Sequence, residues 1–210
     1  MVFHRFSTVH AMLATRRFNP TMTNTYKPKF LPDKFKELML YAAEKSIGDD
    51  YFGAIKLNKI LFFSDFLAFG LMSEPITGAT YKRLGQGPVP TQFNWMRKEI
   101  EKSRDGVFIK KPIFNHIQIR LIPNRPANPH HFSIEERDLI DSVIKYLAPR
   151  TASEVSILSH ERSFAWQIAD EGEEIPYDAV FISARKATST DKAMGLKLAR
   201  KYGWLDSPAK

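Results

Sequence analysis

At 210 residues the chain has room for one generous domain. Its 43% apolar and 12% aromatic residues, with sixteen Phe against ten Gly, make the composition of a packed core rather than of a low-complexity tail. It contains no cysteine, which excludes disulfides, thiolate nucleophiles and the commonest zinc frameworks and fits a reducing, cytoplasmic setting. The net charge of +8 sits at the ends: residues 1–31 carry five basic groups and no acid, residues 185–210 seven basic and two acidic, and the body between them 19 basic against 21 acidic.

The first thirty residues, with Pro20 and Pro28 among Thr and Asn, show neither helical nor strand period. Residues 1–31 therefore read as a mostly disordered basic extension, with residues 1–21 upstream of a start at Met22 and an organellar presequence as the alternative. No secretory leader is expected, because no continuous apolar segment follows the first basic residue. From Pro32 the spacing of Phe35, Leu38, Met39 and Ala42 predicts a helix that Gly48 stops. A second helix, Ala54–Met72, is apolar around most of its circumference through Leu57, Ile60, Leu61, Phe63, Phe66, Leu67 and Phe69, and so belongs at the centre of a domain. Pro75 ends it. Its Lys56, Asn58, Lys59, Ser64 and Asp65 are too many polar groups for a bilayer span, so no membrane is expected among the partners.

Ala79–Leu84 has strand character, and Thr91 is placed to cap a helix running to about Ser103 with Phe93, Met96 and Ile100 on one face. Val107–Lys111 and His116–Ile122 read as strands, the second putting Ile117, Ile119 and Leu121 on a buried face and Gln118 and Arg120 on a wet one. "PNRPANPHHF" is an irregular connector. Two capping boxes follow. Ser133 with Glu136 opens a helix whose core side carries Leu139, Ile140, Val143, Ile144 and Leu147; Thr151 with Glu154 opens one carrying Val155 and Leu158. "EEIPYDAVFIS" reads as extended, and Thr190–Tyr202 as a basic amphipathic helix. The sum is α+β: a mainly α-helical single domain over residues 32–184, with a central buried helix and a small antiparallel β-sheet, followed by a basic arm at 185–210.

The segment "GQGPVPT" between the first strand and its helix sets glycines where a phosphate loop has them. Pro88 and Pro90 have no N–H to donate, however, no Lys-Ser/Thr pair follows, and the third glycine of a dinucleotide fingerprint is missing. These residues suit a turn out of a strand, so the loop reads as structural punctuation.

A metal site would draw on His130, His131 and Glu135, but adjacent histidines on an extended connector point opposite ways, and no metal is expected. His160, with Ser156 or Ser159 nearby, mimics parts of a nucleophile–base pair and carries the reading of a small hydrolase. One helical turn makes no oxyanion hole, and no nucleophile elbow exists. His160 reads instead as a partly buried histidine bonded to a backbone carbonyl, with Trp166 packed on the core. On the central helix Lys59 is expected to reach the surface along its stem, and Asp65 to be buried against a donor such as Arg83 or Lys82. No cofactor motif emerges and no enzymatic centre is expected.

"KLNKILFFSDFLAF", "TGATYKRLGQGPVPTQF" and "LSHERSFAWQIADEGEEIPYDAVF" resemble, in this order, the Panacea domain of SocA-like antitoxins from bacterial, phage and prophage toxin–antitoxin pairs. The motif positions here are Lys56, Leu57, Lys59, Ile60, Leu61 and Phe62; Gly87, Pro88 and Val89; and Ser156 or Ser159, His160 and Trp166. The resemblance spans roughly Phe35 to Ser183. It implies a mainly helical antitoxin that inhibits a cognate protein toxin by direct protein–protein binding. Related pairs include toxins that attack translation or make alarmone-type nucleotides, and one member is a protease adaptor, so a protease or chaperone is a further partner to consider.

Toxin contacts are expected at Tyr81, Arg83 and Gln86 near the turn, at Trp95 on the wet side of its helix, and at Lys197, Arg200 and Tyr202 of the C-terminal helix. The alternative is a nucleic-acid-binding regulator of its own operon; it rests on the basic ends alone, since a dedicated nucleic-acid surface places Lys and Arg on a folded face.

Overall fold

A computed structural model describes residues 27–113, 116–163, 166, 167 and 169–181. The expected N-terminal disorder (up to residue 26), the basic C-terminal helix and the contact residues Lys197, Arg200 and Tyr202 lie outside the described residues.

Helix α1 (Pro32–Lys45) buries Phe35, Leu38, Met39, Leu40 and Ala42. Helix α2 (Ala54–Met72) has fifteen of its nineteen residues buried, so it has no wet face on which polar side chains could rest. It touches α1, helices α4 (Ile134–Leu147) and α5 (Ala152–Arg162), strand β2 (Gly87–Pro90), strand β4 (His116–Pro123) and a closing 3-10 turn, Tyr177–Phe181. Being apolar all round, α2 is wrapped from every side, as the sequence predicts. It ends at Ser73 in the left-handed conformation (φ 68°), two residues before Pro75. Both capping boxes form, with Ser133 and Thr151 each accepting from the N–H of a glutamate three residues on, and the five predicted core residues of α4 are buried.

The mainly helical α+β class holds, with the strands divided between two small antiparallel sheets: β2–β1–β5 (β1 Tyr81–Leu84, β5 Glu174–Ile175) and β3–β4 (β3 Gly106–Ile113). The run expected to be extended from Glu173 forms strand only at Glu174–Ile175 and then coils into the 3-10 turn.

The Gly-Pro-Val-Pro segment is itself a strand, which corrects its reading as a loop. Thr91 N–H donates to Thr80 O at 2.8 Å, and this fixes the parity of the β1–β2 ladder. Pro88 and Pro90 face Arg83 and Tyr81 at the positions that exchange no hydrogen bonds. Their missing N–H groups therefore lie on the outer edge, where proline is tolerated and where it denies a further strand its partners. The turn proper is only Gly85–Gln86. The following helix, α3 (Phe93–Lys102), takes Gln92 and not Thr91 as its first cap position, with no side-chain cap; Gln92 Oε1 accepts from Thr80 N–H instead.

Residues 27–31, expected to be disordered, lie against the body. Leu31 N–H donates to Thr77 O at 2.9 Å, and the Phe30 ring meets Phe35 and Trp95 edge-on at 5.6 and 6.2 Å. Gly78 permits this approach: its φ is +67°, and a Cβ there would fall 2.3 Å from Lys29 O.

Sheet β3–β4 also departs from simple alternation. Ile117 is exposed, whereas Arg120, expected on the wet face, is buried. Its guanidinium donates to four carbonyls, of Ser46, Ile47, Asp49 and Phe52, at 2.8 to 3.4 Å, and so gathers the acceptors where α1 gives way to α2; Ser46 O and Asp49 O also accept from the N–H groups of Asp49 and Phe52. Replacing Arg120 by Met takes the guanidinium donor from Ile47 O and Phe52 O and leaves Ser46 O and Asp49 O with their backbone N–H donors alone. The expected loss is about 3 kcal/mol of unfolding free energy, read by urea titration as a lower midpoint. The connector after β4 is pinned to α1 in the same manner: Arg125 bonds Glu37 and Asp105, and Asn128 N–H donates to Glu37 Oε2 at 2.7 Å. Burial pushes the Glu37 carboxyl up, but these donors outweigh it and hold it below its ordinary value.

Candidate functional site

Three residues from different parts of the sequence converge at the end of sheet β2–β1–β5 where the β1–β2 hairpin turns. Arg83 on β1 places its guanidinium 4.7 Å over the ring of Trp166. His160, on the last turn of α5, stacks on Trp166 with centroids 3.5 Å apart and planes 3° from parallel. Two of the members are held by further bonds: Arg83 Nε donates to Trp166 O at 3.1 Å, and Trp166 Nε1 donates to Leu84 O at 3.2 Å. The result is a preorganised, half-exposed stack of cation, indole and imidazole.

Beneath it lies Lys59. The chain buries its amine completely, and Nζ donates to Pro88 O at 3.1 Å; it does not reach the surface as its stem length suggests. The Pro88 carbonyl is available because Pro88 turns its hydrogen-bonding side away from β1. Gly87 makes the approach possible, since at φ +101° a Cβ would lie 2.7 and 2.8 Å from Lys59 Cε and Nζ and 2.5 Å from Ser159 Oγ. Desolvation lowers the Lys59 pKa to about 7. His160 is held below its ordinary 6.5, first by burial and then by the positive charges of Lys59 and Arg83.

The expected carbonyl partner of His160 is not there: its Nε2 is buried without a hydrogen-bond partner. Ser159 Oγ donates to Ser156 O at 2.7 Å and engages no base, so the two do not form a nucleophile–base pair.

Asp65, wholly buried on α2, finds donors other than the Arg83 and Lys82 expected from sequence. It accepts from Thr77 N–H at 2.7 Å, Thr77 Oγ1 at 2.5 Å, Tyr81 Oη at 2.8 Å and Tyr177 Oη at 3.4 Å. Tyr81, one of the expected partner contacts, is therefore a core residue with no exposure. Lys56 is likewise buried and pairs with Asp49 at 2.7 Å, while Leu57 packs in the core. Val89 is half-buried on β2. Among the other expected contacts, Gln86 is exposed at the hairpin tip and Trp95 is 47% exposed against Phe30. Sequence reasoning missed Glu171, which bridges Arg83 Nη1 and Gly85 N–H at 3.0 Å each. A signal was there: an acidic turn, Asp170–Glu174, in a chain whose hairpin is basic.

His130 and His131 form a short 3-10 turn lining a depression of about 450 Å³ with Lys34, Met72, Glu74 and Glu136. Among the described residues, no group of three or more His, Cys, Asp or Glu is arranged to hold a metal ion. Nor is any described helix long and apolar enough to cross a membrane.

The family model of SocA-like antitoxins, the Panacea domain, matches residues 57–167, more than half of the chain. The chain belongs to the Panacea-domain antitoxin family. No curated protein and no solved structure matches it. Membership suggests an antitoxin role, with a toxin as partner and a non-enzymatic mode of action. The match contains Lys59, the Gly87–Val89 edge, His160 and Trp166, so the stack and its buried lysine fall inside the Panacea region. The folded core extends past it on both sides: α1 before residue 57 and Tyr177 after residue 167 are both buried.

Proposed function

We propose that this Panacea-domain chain neutralises a protein toxin by covering it, with no bond made or broken. The Arg83–Trp166–His160 stack carries the reading. Arg and Trp are the residues most enriched among the few side chains that dominate protein–protein affinity, and here both are locked before any partner arrives. Leu84, 39% exposed, and Gln86 flank the stack and would form the rim around it. Trp95 is a second anchor of the same kind on α3, and Lys197, Arg200 and Tyr202 of the basic arm are further candidates. Steric covering requires no titrating centre, which is consistent with an imidazole that lacks a partner nucleophile.

The test is co-expression with the product of the adjacent reading frame, together with a binding measurement on the purified pair. Arg83→Ala is expected to weaken binding by tenfold or more and to abolish protection, while the melting temperature moves by only a few degrees. Unchanged binding in Arg83→Ala and Trp166→Ala alike would remove the stack from the interface.

A further inference from the structure

Arg83 and the hairpin backbone form a receptor for a carboxylate, and a carboxylate of the chain itself occupies it. Glu171 lays Oε2 on Arg83 Nη1 and Oε1 on Gly85 N–H, both at 3.0 Å. One charged and one backbone donor aimed at the two oxygens of a single carboxylate is the geometry of acid recognition. The two partners are unequal. The Glu171 side chain is 59% exposed and that of Arg83 26%. The guanidinium is fixed independently of Glu171, by its Nε bond to Trp166 O and by the indole beneath it. The turn carrying Glu171 is also fixed independently, since Arg83 N–H donates to Glu173 O and Gly172 N–H to Arg83 O. Glu171 can therefore swing into water without disturbing the cradle or the turn.

We propose that Glu171 is a resident stand-in for one acidic side chain of the toxin, which displaces it from the Arg83–Gly85 cradle on docking. This rests on the proposed antitoxin reading and names the chemistry its central contact would take. Charge around the cradle limits the ligand further. Asp170, Glu173 and Glu174 stay on the turn when Glu171 leaves, and Glu173 Oε2 is engaged by Asp170 N–H at 2.7 Å. They repel a run of negative charge more strongly than one carboxylate in an apolar setting, for which Leu84 and the Trp166 ring supply contact. The ligand is thus an isolated Asp or Glu flanked by apolar residues.

An exposed ion pair is weak enough to be displaced: at the usual worth of such pairs, removing the competitor strengthens a ligand for the same cradle by up to about fivefold. The full chain, labelled with nitrogen-15, is titrated with N-acetyl-glutamate methylamide, and with the glutamine analogue as control. The expected result is a saturable shift of the Arg83 Nε–H and Gly85 N–H resonances with the carboxylate alone. Glu171→Ala should bind it up to about fivefold more tightly, Glu171→Gln should fall between, and Arg83→Met should not respond. Equal affinity in wild type and Glu171→Ala, or a response to the amide, overturns the proposal. So does a loss of protection in cells by a fully folded Glu171→Ala chain, because Glu171 would then be a toxin contact itself. A chain that protects cells yet fails the titration keeps the antitoxin reading and loses only this one. A chain that passes the titration and protects against nothing loses the antitoxin reading and with it the toxin as ligand, and keeps only a carboxylate-binding cradle.

Discussion

Asp65→Ala is expected to lower the melting temperature of the chain by roughly 8–16 °C. The carboxylate is the common acceptor of Thr77 N–H, Thr77 Oγ1 and Tyr81 Oη, with Tyr177 Oη at the margin, and it is wholly buried. Its removal strands donors from the α2–β1 loop and from β1 in an environment of Phe62, Phe66 and Tyr177 rings, where water cannot replace the lost acceptor. Allowing 1–3 kcal/mol for each stranded donor, with partial relaxation, the loss is about 4 kcal/mol, a large share of the roughly 5–15 kcal/mol typical of a domain. Thermal unfolding followed by circular dichroism reads it directly; a melting temperature within a few degrees of wild type would mean that the network is incidental.

The same group gives a pH signature. Burial raises the Asp65 pKa from 3.8 to about 6, against the opposing pull of its hydrogen-bond donors. Because the folded value is the higher, the native state takes up the proton first, and stability linked to Asp65 increases as pH falls from about 6 towards 4. It is flat above that window and fully present below the unfolded value. Asp105, held far below its ordinary range chiefly by Arg125, contributes in the opposite sense, losing stability as acid reaches it. The Asp65 component is therefore isolated as the difference between wild type and Asp65→Asn across pH 4 to 7. A difference that does not change with pH would contradict it.

Lys59→Met is expected to stabilise the protein. The ammonium is desolvated with one protein acceptor, Pro88 O, and its pKa falls from 10.5 to about 7. A folded value below the unfolded one means that the cost of burying Lys59 is absent above pH 10.5, grows as pH falls towards 7 and is constant below that. Methionine has nearly the same length and no charge to desolvate. After subtracting the bond lost by Pro88 O, the gain at pH 7 is about 2 kcal/mol, or roughly 4–8 °C in melting temperature for a chain of this size, shrinking towards pH 10. A lower melting temperature at pH 7 would show that the Lys59–Pro88 bond outweighs desolvation. If the variant is more stable but protects cells less well, the lysine serves the surface above it rather than the core.

Local features were legible because they depend on residues a few positions apart. The Ser133 and Thr151 boxes each need only a hydroxyl and a glutamate three residues on, and both formed. The all-round apolarity of α2 announced a central helix between the bounds that the structure gives it. The motif order that resembles the Panacea domain is likewise written along the chain, and the family match covers it. Misreadings arose where a backbone partner decided the outcome. Gly-Pro-Val-Pro looked like a loop because proline opposes strands in general; only the parity of its pairing with β1 shows that both prolines sit where no N–H is needed. Arg120 alternated onto a face expected to be wet, and four carbonyls from another segment made that face an interior.

The candidate site was the least legible part. Arg83, His160 and Trp166 were each visible as residues of interest, but stacking requires the end of α5 to meet a strand some eighty positions earlier. Glu171 and the donors of Asp65 were fixed by the same long-range packing. By itself, then, the sequence determined that Pro32–Lys45, Ala54–Met72, Ile134–Leu147 and Ala152–Arg162 are helical and which of them must be innermost, since capping and apolar periodicity act over a single turn. Tertiary structure alone decided which polar groups are buried and with whom, because the free energy of a charge or an unpaired carbonyl is set by neighbours that the chain brings together only on folding.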